Sequence, residues 1–240
     1  MTRFPTLLDS WRLHRFNARV PLDKLTIIGA GLLGGSIGMA ARARGLAKRV
    51  SALVRRPESV AECQAIGVAD EVTLDPAEAA ACADLIVLCT PISDMVDLAK
   101  RTLPHLKPGA VVTDVGSTKQ QLVAELTPLC AKAAVHFVGS HPMAGSDQTG
   151  PGAARADLFD DTVCVVTPTG ETHADTLATV NDFWAGLGSR PVVMPTDTHD
   201  RLVARCSHLP HLLASALSRR VLDAEHGQQQ AQLCATGFRD

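Results

Sequence analysis

The stretch Leu25-Thr-Ile-Ile-Gly29-Ala-Gly31-Leu-Leu-Gly34-Gly-Ser36 decides how this chain folds, because it joins an apolar strand to glycines in the spacing GxGxxG. In this pattern Gly29 permits a tight turn, Gly31 lets a ligand approach the backbone, and Gly34 lets a helix pack closely on the strand. The helix that follows directs its unpaired N–H groups towards a phosphate. We therefore expect a dinucleotide site that is contacted by these three glycines and by Leu33.

Short apolar runs alternate with longer Ala-rich stretches as far as residue 195, which is the rhythm of parallel α/β proteins. The nearly continuous apolar character within each run is typical of strands covered on both faces by helices. The prediction is a doubly wound, Rossmann-type parallel sheet. The expected strands are Leu25–Ile28, Val50–Val54, Leu85–Cys89, Ala110–Thr113, Val135–Val138, Val163–Val166 and Val192–Met194.

The pattern changes after Pro195, where residues from Thr198 to Leu222 read as one long helical stretch and no further strand follows. The predicted organisation is an N-terminal extension (1–23), a dinucleotide-binding Rossmann domain (24–195) and the start of an all-helical domain (196–240). A unit of about 45 residues is too small to bury a core of its own. We expect a truncated chain or a unit that a partner subunit completes.

Composition restricts the class of partner. The 240 residues include 23 Lys and Arg against 25 Asp and Glu, so the formal charge of −2 gives no general attraction to nucleic acid or to an acidic membrane. Apolar runs end well before the roughly 20 residues that span a bilayer. Seven cysteines without a CxxC pair indicate free thiols in a reducing cytoplasm. A small-molecule partner is expected.

Two arginines follow the second predicted strand, in Ala52-Leu-Val-Arg55-Arg56-Pro. An enzyme specific for NAD usually has an acidic residue here to accept a hydrogen bond from the ribose 2′-hydroxyl. Arg55 and Arg56 could instead pair with a 2′-phosphate. This favours NADP as the cofactor, with NAD as the alternative, and solvated surface charge is the non-functional interpretation.

Polar clusters follow three other predicted strands, at Thr90–Ser93, Asp114–Lys119 and Gly139–Asp147. Ligands of a doubly wound sheet bind outside its carboxyl edge, so distant clusters can converge there. We expect Thr90 to contact the cofactor, and His141 and Ser117 to be neighbours in the catalytic site. His141 stands between a strand end and Pro142, beside a glycine-containing loop, where apolar packing gives little reason for a histidine.

Side chains nearby have more than one interpretation. The ammonium group of Lys119 could contact substrate, cap a helix or remain in solvent. Ser146 is a candidate substrate contact. Its neighbour Asp147 could bind the loop or a ligand, although an Asx turn is the commoner role for Asp in such a setting.

The later helical stretch contains Ser207-His208-Leu-Pro-His211, whose two histidines are three residues apart and share a face. With His199 upstream they could suggest a metal site. No cysteine pair or carboxylate completes a zinc ligand set, so no metal is expected. Substrate contact is the favoured interpretation for His208 and His211, and helix packing is the alternative.

Four motifs in order resemble those of the prephenate/arogenate dehydrogenases, and the resemblance extends from about Leu25 to Asp240. The final Gly237-Phe-Arg-Asp240 resembles the beginning of another motif of that family. The motifs are Gly29–Ser36, Asp114–Lys119, Gly139-Ser-His-Pro-Met-Ala-Gly145 and Ser207-His-Leu-Pro-His211.

This resemblance implies the oxidative decarboxylation of prephenate or arogenate with hydride transfer to NAD(P), in tyrosine biosynthesis, by a homodimer. By similarity, His141 accepts the hydroxyl proton, Ser117 hydrogen-bonds near that hydroxyl or the nicotinamide, and His208 and His211 line the substrate pocket. A neutral imidazole suits this role, because its pKa lies close to working pH.

The chain departs from the family pattern in two ways. Asp147 stands where the family commonly has Glu. The family pattern also continues beyond the Gly-Phe-Arg-Asp motif to an arginine that binds the substrate carboxylate, and the 240 residues do not include that arginine. Two other functions therefore stay open. One is another two-domain dehydrogenase, of the hydroxyacid type, and the other is a module that binds NADP without turnover.

Overall fold

The computed structural model describes residues 21–222, 226–235 and 238, so the predicted N-terminal extension as far as residue 20 and most of the Gly237–Asp240 motif lie outside the described residues. The strands are β1 (Leu22–Ile28), β2 (Ala47–Leu53), β3 (Glu71–Thr73), β4 (Leu85–Leu88), β5 (Val111–Asp114), β6 (His136–Phe137), β7 (Gly139–Pro142), β8 (Val163–Thr167) and β9 (Arg190–Val193). The helices are α1 (Leu32–Ala43), α2 (Pro57–Ala65), α3 (Pro76–Ala80), α4 (Ile92–Thr102), α5 (Gln120–Lys132), α6 (Ala174–Gly186), α7 (Thr196–Val203), α8 (Leu209–Leu222) and α9 (Gly227–Leu233).

Six of the described strands form a parallel sheet in the order β3-β2-β1-β4-β5-β6. This is the strand order of a doubly wound dinucleotide-binding fold, in which ligands bind where the order reverses, here between β1 and β4. Both central strands are buried, with Leu25, Ile27, Leu85 and Leu88 wholly inaccessible to solvent. The predicted Rossmann-type sheet is confirmed.

The last three strands form a separate sheet, in which β7 is antiparallel to β8 and β8 is parallel to β9. The prediction that the runs at 163–166 and 192–194 extend the main sheet is therefore wrong. Only Val138 separates β6 from β7, and a further parallel strand would need a long crossover connection. The chain consequently leaves the first sheet at this point, although its apolar runs have the same composition in both sheets.

Two strands have no signal among the predicted runs. β3 is three residues long and partly exposed, so it lacks an apolar run. β7 contains Gly139, His141 and Pro142, residues that are typical of a loop. His141 therefore lies within a strand, where it pairs with Val165 of β8, and the prediction that it follows a strand in a loop is wrong.

The predicted long helical stretch is confirmed, because α7, a π-helical segment (Ala204–His208) and α8 follow one another directly. Pro210 has no N–H for the carbonyl group four residues earlier, and a locally wider helix accommodates such a loss. The π segment contains His208, which is half-buried, whereas His211 in α8 is exposed.

Within the described part of the chain, no helix combines the length and apolarity needed to cross a membrane. All seven cysteines are free thiols, and Cys63, Cys130 and Cys164 are buried.

Candidate active site

The glycine loop lies at the carboxyl end of β1, at the point where the strand order reverses. Gly29 has a φ of +95°, and a side chain there would stand 2.7 Å from Thr90 Cγ2. A side chain at Gly34 would stand 2.0 Å from the Gly29 carbonyl oxygen, so α1 can approach the loop only without one. Both glycines therefore have the roles that the sequence predicts for them.

The start of α1 is suited to binding a diphosphate. Gly31 is its N-cap, and no side chain caps the helix. Among the described residues, nothing lies within 4 Å of the place where a Gly31 side chain would begin. The first-turn N–H groups of a helix have no partner within it, and together with the helix dipole they favour an anion. Leu33 lies in this turn and is half-buried.

Thr90 supplies a second indication of a ligand at this edge. It is the second residue after β4, and its Oγ1 atom is buried with no hydrogen-bond partner among the described residues. A buried hydroxyl group without a partner is rare in proteins. The loop, the helix terminus and this hydroxyl group together fit a bound dinucleotide. Arg55 and Arg56 follow β2 at the same edge and are exposed, and Arg56 is the N-cap of α2.

A buried ionic network lies under the carboxyl end of β5. Asp114 is wholly buried and accepts hydrogen bonds from the backbone N–H groups of Gly116 (2.7 Å) and Ser140 (3.0 Å). The Lys119 ammonium group forms an ion pair with Asp114 and donates to the Ser140 carbonyl oxygen at 2.8 Å. This network joins the β5–α5 loop to β7.

The sequence leaves Lys119 near substrate, as a helix cap or in solvent, and the structure makes it the N-cap residue of α5, although its side chain forms no capping hydrogen bond. Its side chain is wholly buried and its ammonium group is occupied by Asp114 and Ser140. Burial lowers its pKa, and the Asp114 carboxylate opposes that effect. Lys119 therefore holds the loop from below, and the expected direct contact with substrate does not fit a side chain in this position.

His141 lies above this network and is 8% exposed. Its Nδ1 atom is 2.9 Å from Nε2 of His199, so Nε2 is the ring nitrogen left for a substrate. Burial, and next the Lys119 ammonium group, lower the pKa of His141 to about 3. The ring is therefore neutral at any ordinary working pH and can accept a proton.

His199 and Asp200 complete a line of side chains behind His141. His199 is wholly buried, and its Nδ1 atom is 2.7 Å from Oδ1 of Asp200. The same carboxylate accepts hydrogen bonds from the backbone N–H groups of Lys119 (2.8 Å) and Gln120 (3.0 Å) at the start of α5. The contacts bring α7, α5 and β7 together around one histidine.

The remaining predicted residues lie on the loops and helices around this line. Ser117 is exposed in the β5–α5 loop. Ser146 is exposed in the loop after β7, where its hydroxyl group bonds to Asp147 (3.0 Å) and accepts from the Gln148 N–H (3.1 Å). His208 is near enough to His141 to contribute to lowering the pKa of His141, after larger contributions from burial, Lys119 and His199. His211 is exposed in α8.

Two carboxylates and one histidine of this site carry no clear signal in the sequence. Asp114 is only the start of a loop motif, Asp200 belongs to no motif, and His199 suggests at most a metal ligand. The one available signal for Asp200 was its position beside a histidine at the start of a helix. Across the described residues, no group of three or more His, Cys, Asp or Glu could hold a metal ion.

Comparison with known proteins identifies the family. Residues 37–193 match the family model described as prephenate dehydrogenase, nucleotide-binding domain. The chain belongs to the prephenate dehydrogenase family. Residues 195–240 match the model for the dimerization domain of the same family, so the resemblance seen in the sequence motifs is confirmed. The chain therefore carries the family's nucleotide-binding domain.

Curated relatives are named as prephenate dehydrogenase or as cyclohexadienyl dehydrogenase. A cyclohexadienyl dehydrogenase of Zymomonas mobilis is 36% identical over 194 residues, which cover 80% of this chain and 65% of the relative. A prephenate dehydrogenase of Lactococcus lactis is 33% identical over 222 residues, which cover 91% of this chain and 60% of the relative. The chain thus matches less than two thirds of the length of these two relatives.

Solved structures of the family have the same fold. The prephenate dehydrogenase of A. aeolicus in complex with hydroxyphenyl propionate and NAD+ has a TM-score of 0.83 and 28% identity, covering 92% of this chain and 77% of the other. The Synechocystis arogenate dehydrogenase has a TM-score of 0.76 and 30% identity, covering 90% of this chain and 77% of the other.

Proposed function

We propose that this chain oxidatively decarboxylates prephenate or arogenate, with hydride transfer to a nicotinamide dinucleotide, as a step in tyrosine biosynthesis. The observation that carries the proposal is the setting of His141. Its ring is neutral, its Nδ1 atom is occupied by His199, and it lies above the β5 loop in a chain of the prephenate dehydrogenase family. A neutral imidazole held in this way can act as a general base.

The cofactor, when bound, supplies the hydride acceptor, and the protein holds it in place. The glycine loop and the start of α1 would bind its diphosphate, with Gly29, Gly31, Leu33 and Gly34 in contact. The unpartnered Thr90 hydroxyl group would contribute one hydrogen bond from the end of β4.

Proton movement is the part of the reaction that falls to His141. The hydroxyl-bearing ring carbon of the substrate loses hydride, and Nε2 of His141 takes the hydroxyl proton. The C–C bond to the ring carboxylate then breaks and releases CO2. The electron pair of that bond makes the ring aromatic, and the resulting phenolate oxygen takes the proton back, so the base is regenerated.

The surrounding loops would hold the substrate. Ser117, exposed in the β5–α5 loop, would hydrogen-bond the reacting hydroxyl group or the nicotinamide. Ser146, in the loop after β7, and His208, in the π-helical segment before α8, would line the pocket. His211 would contribute from α8, where its exposed side chain is free to face a substrate.

The cofactor is proposed to be NADP in preference to NAD. Arg55 and Arg56 are both exposed directly after β2, where the ribose 2′ position of a bound dinucleotide falls in this fold. A guanidinium group pairs well with a phosphate, and none of the residues Val54–Pro57 offers a carboxylate to a 2′-hydroxyl.

A homodimer is proposed on two grounds. Residues 195–240 match the family's dimerization domain. In addition, α8 exposes an apolar surface of the kind that an oligomer buries: Leu209, Leu212, Leu213 and Leu217 are 50–66% exposed.

One experiment tests the proposed reaction. The purified chain is assayed with prephenate and with arogenate, each in combination with NAD and with NADP, and nicotinamide reduction and CO2 release are measured together. We expect equal amounts of reduced dinucleotide and CO2 from at least one substrate, and a higher kcat/KM for NADP than for NAD. Absence of reduction in all four combinations, with a dinucleotide bound according to calorimetry, would contradict the proposal.

A further inference from the structure

Asp200, His199 and His141 form a line of hydrogen bonds that ends at the candidate base. The two links are 2.7 Å, from His199 Nδ1 to Asp200 Oδ1, and 2.9 Å, from His199 Nε2 to His141 Nδ1. We propose that Asp200 and His199 are positioning residues that fix the tautomer of His141 and disperse its charge after it takes the proton. The inference rests on the proposed function and names Asp200 and His199 as the residues that orient the His141 ring.

The direction of the hydrogen bonds follows from Asp200. Burial raises its pKa, but hydrogen bonds from the backbone N–H of Gln120, the His199 ring and the backbone N–H of Lys119 lower it further, so its pKa lies below the ordinary value. The carboxylate is therefore ionised and can only accept. Nδ1 of His199 must carry the hydrogen in the bond to Oδ1.

The protonation state of His141 follows in turn. Burial is the main cause of the lowered pKa of His199, so its ring is neutral and its Nε2 atom carries a lone pair. That lone pair lies 2.9 Å from His141 Nδ1, which must then be the donor. A neutral imidazole carries one N–H, so Nε2 of His141 is left unprotonated and able to accept the substrate's proton. The reverse tautomer would leave no base at Nε2.

The same line can carry charge away from His141. Burial and the ammonium group of Lys119 disfavour a positive charge on that ring. If the Nδ1 proton of His141 crosses to His199 as Nε2 takes a proton, the charge moves to a ring whose Nδ1 atom is 2.7 Å from the Asp200 carboxylate. An ion pair within a partly buried site is stronger than one in water.

Asp200 has a second task, and the test must separate the two. Its carboxylate also accepts hydrogen bonds from the backbone N–H groups of Lys119 and Gln120 at the start of α5. Asp200→Asn changes both tasks, because an amide offers one acceptor oxygen in place of two. His199→Asn keeps the carboxylate, while the shorter side chain cannot reach His141. Asp197→Asn is the matched control, because Asp197 is exposed on the same helix.

The tautomer is measured directly by NMR, on protein with 15N-labelled histidine rings at neutral pH and without substrate. We expect Nδ1 of wild-type His141 to be protonated and Nε2 to be unprotonated. Asp200→Asn and His199→Asn should both shift the ring towards the Nε2–H form, and Asp197→Asn should match the wild type. A protonated Nε2 in the wild type, or an unchanged tautomer in both Asp200→Asn and His199→Asn, would overturn the inference.

Kinetics supply the second measurement. In a triad of this kind, an amide in place of the carboxylate holds the wrong tautomer, and kcat falls by about 10²-fold to 10⁴-fold while substrate binding changes little. We expect Asp200→Asn and His199→Asn each to lower kcat by about 10²-fold to 10⁴-fold with KM nearly unchanged. A normal kcat in either variant would overturn the inference. The NMR result does not depend on turnover, so an inactive wild type would refute the proposed function alone.

Discussion

His141 is a histidine whose environment decides its chemistry. Burial in β7 and the nearby Lys119 ammonium group hold its pKa at about 3, so the ring stays neutral well below the pH at which an exposed histidine becomes charged. Its reactive tautomer then depends on the partner of Nδ1, which is His199. The residue type suggested a base, but its neighbours determine which nitrogen is available.

Replacing this ring tests its catalytic role. His141→Asn removes the proton acceptor while keeping a polar side chain, so we expect turnover to fall by about 10²-fold to 10⁴-fold. Dinucleotide affinity, measured by calorimetry, should stay close to the wild-type value. His136→Asn is the control, because His136 lies in β6 of the six-stranded sheet, where it is half-buried against His173. Near-normal turnover of His141→Asn would remove His141 from the mechanism.

The lowered pKa of His141 also predicts how stability varies with pH. Between about pH 3 and the ordinary value of 6.5, the unfolded chain binds a proton at this histidine that the folded chain does not bind. The stabilising contribution is thus present above pH 6.5 and is lost as the pH falls towards 3. We expect Tm to fall less steeply through this window in His141→Asn than in the wild type. Parallel Tm curves for the two proteins would refute this prediction.

Cofactor choice is predicted at Arg55 and Arg56. Charge-assisted hydrogen bonds contribute about 1.5–3 kcal/mol, so replacing both arginines with Ala should weaken NADP binding by about 10-fold to 100-fold and leave NAD binding nearly unchanged. Arg49→Ala is the control, since that exposed arginine of β2 pairs with Glu71 at 3.4 Å. The measurement is calorimetric titration with each dinucleotide, and tighter binding of NAD than NADP by the wild type would contradict the prediction.

At the scale of the element, the β1–loop–α1 unit shows how one glycine motif meets two separate requirements. Gly34 has no room for a side chain because of the Gly29 carbonyl group, whereas the space beside Gly31 is open. The first requirement belongs to folding and the second to the ligand. They can therefore be distinguished by experiment.

Two alanine variants separate these requirements. Gly34→Ala places a methyl group 2.0 Å from the Gly29 carbonyl oxygen, and overpacking of this kind lowers the unfolding free energy by about 1–3 kcal/mol. Gly31→Ala has a φ of −77° and open space, so its stability in urea should match the wild type while its dinucleotide affinity falls. Equal stability of the two variants would contradict this prediction.

At the scale of the whole molecule, the site depends on two sheets that meet at Ser140. The Ser140 hydroxyl group donates to the Asp114 carbonyl oxygen, lies 2.8 Å from Thr113 Oγ1 and accepts from Trp184 Nε1 at 2.9 Å. β5 of the first sheet, β7 of the second and α6 are thereby joined directly below His141. The position of the base is a property of both sheets together.

Removing this hydroxyl group should weaken the junction. Ser140→Ala leaves the indole N–H of the wholly buried Trp184 without a partner, and an unsatisfied buried donor lowers the unfolding free energy by about 1–3 kcal/mol. Urea unfolding measures the difference, with Ser93→Ala as the exposed control. A difference no larger than that of the control would show that Ser140 does not join the sheets energetically.

The sequence by itself determined the features that depend on neighbouring residues: the strand, glycine loop and helix at Leu25–Ala43, the arginines after β2, and the long helical stretch after Pro195. Each rests on local conformation, since a tight turn needs Gly29 and a helix needs an uninterrupted run. Only the tertiary structure decided which sheet each apolar run joins, because the runs of the two sheets are alike in composition. It alone placed Lys119 on Asp114 and brought Asp200, 59 positions beyond His141, into line behind that ring. Such contacts between distant residues leave no periodic signal in the chain, and they determine the protonation of the base.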